Sequence, residues 1–408
     1  MIYMSKLSTL EEIIGKKIPT LNEEFKVTMN SKETSENTLF FAINKGNDYA
    51  KEAENLGAFV IFDKEGLDIE NGYYVKDTVK FMQEYAKKYR ENNGFIVIGI
   101  TGSNGKTTVK DILYSVLKEK GEKVYKTQGN YNNHIGLPFT ILSARDEDKY
   151  LLLEMGMSDL GEIDLLGYIA KPDYSIITNI GQSHLEYLKT MENVFKAKTE
   201  IIPHTKKKVV VSGNDKYLST LEDAIKVEVK NIKTNLLGEH NLLNVSLVDS
   251  LLKYIGYTDL NYENISLTGG RFQIIKGKYI YINDAYNASP LSMKASLETF
   301  SKIYDENCKV AVLGDMLELG NEENKYHEDL CFVLKETKID FLYLYGQRMK
   351  YLYNKLLELK EIKFKFKHFD IKDEIKIEID NITDDREKVI LLKGSRSMKM
   401  EEIMEVNN

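Results

Sequence analysis

Lys106, Thr107, Glu154, His184 and Arg271 are the side chains of this chain best suited to handling a polyanion, if the fold brings them together. Lys106 and Thr107 belong to the stretch Thr101-Gly102-Ser103-Asn104-Gly105-Lys106-Thr107-Thr108. Glycines at 102 and 105 let a loop turn its N–H groups toward an anion, and a helix starting there adds the positive end of its dipole. A lysine at this place reaches the β- and γ-phosphates of a nucleotide, and the next hydroxyl ligates Mg²⁺. The strict pattern puts glycine at position 100, where this chain has Ile100, so the loop is a variant. An ordinary βα turn is the plainer reading; the apolar run before it and the amphipathic stretch after it argue against that.

Glu154 closes the apolar run Leu151-Leu152-Leu153, and His184 follows Thr178-Asn179-Ile180-Gly181-Gln182-Ser183. In a parallel sheet such strand ends share an edge with the phosphate loop, so a carboxylate and an imidazole there could meet metal-bound phosphate. His184 taken alone is equally well an ordinary polar residue. Lys198, in Phe195-Lys196-Ala197-Lys198-Thr199-Glu200, reads from composition as part of an exposed helix with Lys–Glu pairs. Asn130, Asn132 and Asn133 lie in a polar, glycine-bounded loop that could read a polar substrate or only form turns. Asn241 opens an apolar helix and could simply cap it. Arg271 and Asp284-Ala285-Tyr286-Asn287 flank a second domain boundary, where an arginine could meet a γ-phosphate on closure or form a structural ion pair. Lys393-Gly394-Ser395-Arg396 follows the last strand and suits a carboxylate, or merely decorates the C-terminus.

These residues need a scaffold of strand ends. Ile96–Ile100, Lys149–Glu154, Tyr174–Thr178 and Lys208–Val211 alternate with helical stretches, which predicts a mostly parallel sheet with helices on both faces. Before it, Thr38–Ile43 and Ala58–Phe62 read as strands, Asp48–Leu56 and Val79–Tyr89 as helices, and Glu91–Gly94 as a linker. After it, Lys309–Leu313, Phe341–Tyr345 and Val389–Leu392 form a third α/β unit, while Ile362–Ile382, rich in Lys and Asp, reads as solvated. The expected fold class is therefore α/β, with domains at 1–93, 94–282 and 283–408.

At 408 residues the chain is too long for one ordinary domain. A net charge of −7 gives no basic field for nucleic acid, so an anionic ligand must be held locally. Cys308 and Cys331 sit in apolar contexts and read as reduced core thiols of a cytoplasmic protein. Met1–Leu10 lacks the apolar core of a leader, and no run is long enough to cross a bilayer, so no membrane insertion is expected.

Taken together, Thr101–Thr108, Gly129-Asn130-Tyr131-Asn132-Asn133, Glu154-Met155-Gly156-Met157, Asp284–Pro290, Leu313–Gly320 and Lys393–Glu401 resemble the Mur ligases, ATP-dependent amide-bond formers of peptidoglycan synthesis. The likeness, from about residue 95 onward, favours the branch that adds D-alanyl-D-alanine to UDP-N-acetylmuramoyl-tripeptide. It implies a small N-terminal domain for the UDP-sugar, a central ATP domain, and a Rossmann-like C-terminal domain for the incoming amine, in a monomer. It implies that Thr101 to Thr108, Asn241, Arg271, Asp284 and Asn287 surround ATP. Thr107, Glu154, His184 and Lys198 would hold two Mg²⁺ ions, with Lys198 as a carbamate, and Lys106, Lys198, His184 and Arg271 would serve the chemistry. Ser31, Lys32, Asn130, Asn132, Asn133, Lys393, Ser395 and Arg396 would contact substrates. Asn30-Ser31-Lys32 stands where the family carries Asp-Ser-Arg, so uridine anchoring should lean on backbone groups and Lys32. The implied reaction activates a carboxylate as an acyl phosphate. Rival readings are a polyglutamate- or cyanophycin-type ligase, a catalytically silent binding protein, and an ATP-driven switch.

Overall fold

The computed structural model describes residues 4–405, so Met1–Tyr3 of the N-terminal stretch lie outside the described residues. Its strands fall into three sheets. The first holds β1 (Lys26–Thr28), β2 (Thr38–Phe41), β3 (Phe59–Phe62) and β4 (Gly72–Tyr74), parallel and in chain order. Successive side chains on a strand face opposite sides, so Leu39 and Phe41 pack under the helices Lys6–Ile14 and Thr78–Asn92, while Phe40 meets Ala50 and Ala53. Ser5 starts the first helix by accepting from Ser8 N, a cap that composition did not flag. The helix expected at Asp48–Leu56 is split into a 3₁₀ turn, Asn44–Tyr49, and an α-helix, Ala50–Asn55.

No free linker follows. The helix runs on to Asn92, and buried Arg90 donates to Ala170 O, Lys171 O and, at 2.7 Å, Asp173 Oδ2. One continuous apolar core joins this unit to the next, with Tyr85 and Tyr89 in the same cluster as Leu137 and Ile141.

The central sheet contains β5 (Ile96–Thr101), β6 (Val124–Lys126), β7 (Tyr150–Glu154), β8 (Tyr174–Ile177), β9 (Lys208–Ser212) and β10 (Ile225–Val227). All pairs are parallel, in the order β10-β9-β8-β5-β7-β6. Both faces are covered, which explains the unbroken apolar runs. Ile98 and Ile100 meet Val109, Ile112, Leu113 and Val116 of the helix Lys106–Glu119, while Val97, Leu151 and Leu153 face the opposite layer. β5 lies between β7 and β8, so the carboxyl ends of these three strands open at one place, the usual ligand position in such sheets.

The third sheet comprises β11 (Gln273–Lys276), β12 (Ile280–Asn283), β13 (Cys308–Gly314), β14 (Phe341–Tyr345), β15 (Lys365–Phe369) and β16 (Lys388–Lys393), in the order β11-β12-β16-β13-β14-β15. Only β11 is antiparallel. The boundary expected at 282/283 therefore cuts through β12, whereas the third sheet begins at β11; the hairpin belongs to that sheet because β12 pairs with β16. The stretch expected to be solvated, Ile362–Ile382, instead supplies edge strand β15 and the helix Lys372–Asp380, with Phe369, Ile375 and Ile379 buried. Its lysines occupy the exposed side of an edge, where they discourage further strand pairing. Both cysteines are buried free thiols, and burial pushes Cys308 up to about 11. Among the described residues no helix is long and apolar enough to cross a membrane.

Candidate active site

The loop after β5 is shaped by its glycines. Gly102 has φ +139°, and a Cβ there would run into Thr178 Oγ1 at the end of β8. Gly105 has φ +83°, and its Cβ would stand 2.7 Å from Asn244 Oδ1. Neither position admits another residue cheaply. Ser103 Oγ accepts from Gly181 N and donates to Gly181 O, and Asn104 N donates to Asn179 Oδ1. The loop is thus buttressed from β8's end. Thr101 is fully buried beneath it, and its Oγ1 makes no hydrogen bond among the described residues. Lys106 opens the helix and folds back to donate to Gly102 O at 2.7 Å. Loss of hydration pushes its amine below the ordinary lysine range, Glu154 opposes this, and Arg271 adds to it.

Glu154 is the last residue of β7, in register with Ile100. Its Oε2 accepts from Thr107 Oγ1 at 2.8 Å, and its Oε1 from Asn132 Nδ2 at 3.2 Å. Lys110 was not singled out from the sequence. Its buried amine lies 3.6 Å from Glu154 Oε2 and donates to Thr127 O. Only its spacing of four from Lys106 on one helix could have flagged it. Glu154 is not solvated, being 4% exposed.

Lys198 departs from its composition. It is 1% exposed, on the inner face of the helix Met191–Thr199. Its pKa is driven far down, by burial first and then by the Lys106 charge. The Lys–Glu pairing expected of this helix is not formed at Lys198. Glu200 accepts from Gly161 N and Asp164 N, and Glu154 is engaged as above. His184 sits at φ 55° with Nδ1 2.9 Å from Glu318 Oε2 of the third domain. That contact holds the Glu318 carboxyl below its usual range.

The opposite wall comes from the third domain. Arg271 stacks on Tyr286, 3.7 Å from the guanidinium carbon to the ring centre, and its buried Nη1 has no partner among the described residues. Asp284 accepts from Lys393 Nζ at 2.7 Å, from Phe272 N, and from Ser296 Oγ. Lys393 also donates to Asn287 O, so it is a buried ion-pair partner and not a decoration of the C-terminus. Ser289 Oγ donates to Asn104 Oδ1 at 3.0 Å, joining the walls.

Between them lies a cleft of about 890 Å³ lined by Ser103 to Thr108, Asn132, Asn133, Glu154, His184, Asn241, Arg271, Asp284, Asn287 and Lys393, among others. Asn241 is not a cap; Gly238 holds that position, and Asn241 Nδ2 donates to Leu237 O. Asn214, Asp215 and His240 also line the cleft, and no motif or spacing marks them. Other expected contacts stay outside it. Ser31 and Lys32 form a 3₁₀ turn capped by Asn30 in the first domain. Asn130 is exposed beyond the lining. Ser395 accepts from Leu317 N, and Arg396 pairs with Glu401.

A glycine phosphate loop on a central parallel strand, facing an arginine from a second α/β unit, defines a nucleotide-using enzyme whose site is completed by domain approach. The comparisons narrow this class. Residues 100–234 match the Mur ligase middle domain, and residues 270–396 match the Mur ligase, glutamate ligase domain. The chain is 34% identical to a UDP-N-acetylmuramoyl-tripeptide--D-alanyl-D-alanine ligase of Bacillus subtilis, covering 93% of this chain and 92% of that protein. The enzyme of the same name from Rickettsia prowazekii is 31% identical, with 99% of each covered. In fold the chain is similar to MurF from Acinetobacter baumannii, with a TM-score of 0.86, 24% identity and 99% of each chain covered. It is also similar to MurF ligase from Thermotoga maritima in complex with ADP, with a TM-score of 0.79, 27% identity, and 93% and 96% covered. This chain belongs to the Mur ligase family.

Proposed function

We propose that this protein joins D-alanyl-D-alanine to UDP-N-acetylmuramoyl-tripeptide at the expense of ATP, in the cytoplasm and as a monomer. The observation that carries the proposal is the single cleft in which Lys106, Thr107 and Glu154 face Arg271, Asp284 and Asn287. Residues 1–93 would take the UDP-sugar, the central domain ATP, and the C-terminal domain the dipeptide. Since Ser31 and Lys32 lie outside the cleft lining, they would act on the uridine end alone.

The residues fit a nucleotide. Gly102 and Gly105 leave no room for side chains, and Arg271 Nη1 and Asn104 Nδ2 are buried donors without partners among the described residues. Thr107 and Glu154 present hard oxygen donors 2.8 Å apart, which suits Mg²⁺ held by few protein ligands and substrate phosphates. That ion, when bound, supplies positive charge against the phosphate oxygens. His184 and a carbamate on Lys198 would hold a second ion. The buried amine of Lys198 has no acidic partner among its charged neighbours. A neutral amine adding to CO₂ and losing a proton would leave an anion there.

Chemically, the tripeptide carboxylate oxygen attacks the γ-phosphorus, and the bond to the ADP oxygen breaks. The dipeptide nitrogen then attacks the acyl carbon, loses a proton, and phosphate departs. Lys106 and Arg271 position two anions and screen their repulsion, and the third domain excludes water that would hydrolyse the acyl phosphate.

Phosphate release with each substrate omitted in turn tests the reading. Turnover requiring both peptide substrates supports it; turnover with ATP alone would favour the switch. The carbamate has its own test. Lys198→Ala should lose about 10²-fold in turnover, with partial recovery in short-chain carboxylic acids. Full activity without Lys198 would remove it.

A further inference from the structure

Asp111 is completely buried on the helix Lys106–Glu119, yet it takes no part in the chemistry above. Its Oδ2 accepts two hydrogen bonds from Thr268, 2.8 Å from the backbone N and 2.7 Å from Oγ1. Its Oδ1 accepts from Lys126 Nζ at 2.7 Å, and that amine lies over the Tyr114 ring. A buried carboxylate with all its bonds made is a strong and directional anchor.

Thr268 ends the segment that connects the central domain to Arg271. The segment follows one stripe of the helix. Asn261 Nδ2 donates to Glu119 Oε1, Ser266 N approaches Ser115 Oγ at 3.4 Å, and Thr268 reaches Asp111. Positions 119, 115 and 111 are four apart, so they share a helix face and descend toward the N-terminal end. That end carries Lys106 and Thr107. After Thr268 come Gly269 and Gly270, the latter at φ +78°, and then Arg271. The chain is thus pinned at Thr268 and jointed immediately afterwards.

We propose that Asp111 and Thr268 form a tether that sets the position of Arg271 over the phosphate loop, with Gly269-Gly270 as the moving joint. Asp111 is a positioning residue here; it acts through Arg271. One helix then both opens the phosphate loop and fixes the point from which the arginine of the other domain is delivered. The proposal rests on the assignment of Arg271 made above.

Thr268→Val removes the hydroxyl at an exposed position while keeping the side chain's shape, so it leaves the fold intact. It should lower kcat about 10-fold, since small displacements of a positioned group are costly. KM for ATP should change less than twofold, because the loop amides and Lys106 are untouched. Thr268→Ser, which keeps the donor, should restore kcat. The decisive comparison is the double variant: in an Arg271→Ala background, Thr268→Val should cost nothing further. Wild-type kcat in Thr268→Val, or losses that multiply in the double variant, would overturn the tether while leaving Arg271 in place. Full activity in Arg271→Ala alone would remove both the assigned role of Arg271 and the tether. Asp111→Asn, if it folds, should reproduce the kcat loss of Thr268→Val.

Discussion

The two walls of the cleft are built on different principles. On the central wall, Lys106, Thr107 and Glu154 sit on adjacent strand ends and one helix of a single sheet, and Glu154 is reached by Thr107, Asn132 and Lys110 at once. On the other wall, Arg271 follows a two-glycine joint, and the loop with Asp284 and Asn287 is held by buried Lys393 together with Phe272 N and Ser296 Oγ on Asp284. Ser289 to Asn104, Glu318 to His184, and Leu291 against Gly181 connect the walls. The difference teaches that the charged pocket is preformed, while the groups completing it depend on where the third domain stands.

The largest test of this contrast is Lys106→Ala. It should reduce amide formation by more than about 10³-fold with an unchanged melting temperature, because the side chain bonds only to loop carbonyls. A lowered melting temperature would show that the central wall is not preformed. Lys393→Met should act oppositely, on stability first. It leaves the Asp284 carboxylate without its cationic partner in a largely buried place, at about 3 kcal/mol, read as a drop in the denaturant midpoint of the third domain.

The contact between the first two domains offers a wall with no joint for comparison. Lys6 is buried where it donates to Leu142 O, and its pKa is pushed down to about 8 by lost hydration, against an ordinary 10.5. Between these values the unfolded chain binds more protons, so stability should rise with pH from about 8 upward and pay the full cost of the charge below it. Relative to Lys6→Met, the wild type should gain up to about 3 kcal/mol between pH 7 and pH 10.5; parallel curves would show that the amine is hydrated. The smallest effect is expected of Ser289→Ala. It removes one hydrogen bond between the walls and the side-chain cap of the helix Pro290–Ser301, about 1 kcal/mol each, and small-angle scattering should show a more open average arrangement.

The phosphate loop and Glu154 were legible because strand, glycine and charge follow one another locally. Lys198 was not: its neighbours Lys196, Thr199 and Glu200 describe a solvated helix, and only packing against the sheet reveals which face turns inward. β11 escaped because Gln273–Lys276 is largely exposed and has no apolar alternation. Thr268 carries no motif at all; its role arises from a partner 157 positions away. Ser395 and Arg396, expected to contact substrate, are met in this structure by Leu317 N and Glu401, partners that the residue pattern does not mark.

The close approach of Gly102 to Thr178 also bears on how the chain is made. β5 emerges from the ribosome well before β7 and β8, its only neighbours in the sheet. Until Thr178 is synthesised, the loop lacks the surface against which Gly102 and Asn104 are held. The first sheet, whose strands pair in chain order, can form in the meantime, while long-range parallel pairing is slow and leaves strand edges open. A nascent chain stopped before Tyr150, where β7 begins, would therefore carry the strands of the first sheet joined to an unpaired apolar β5, a natural client for chaperones.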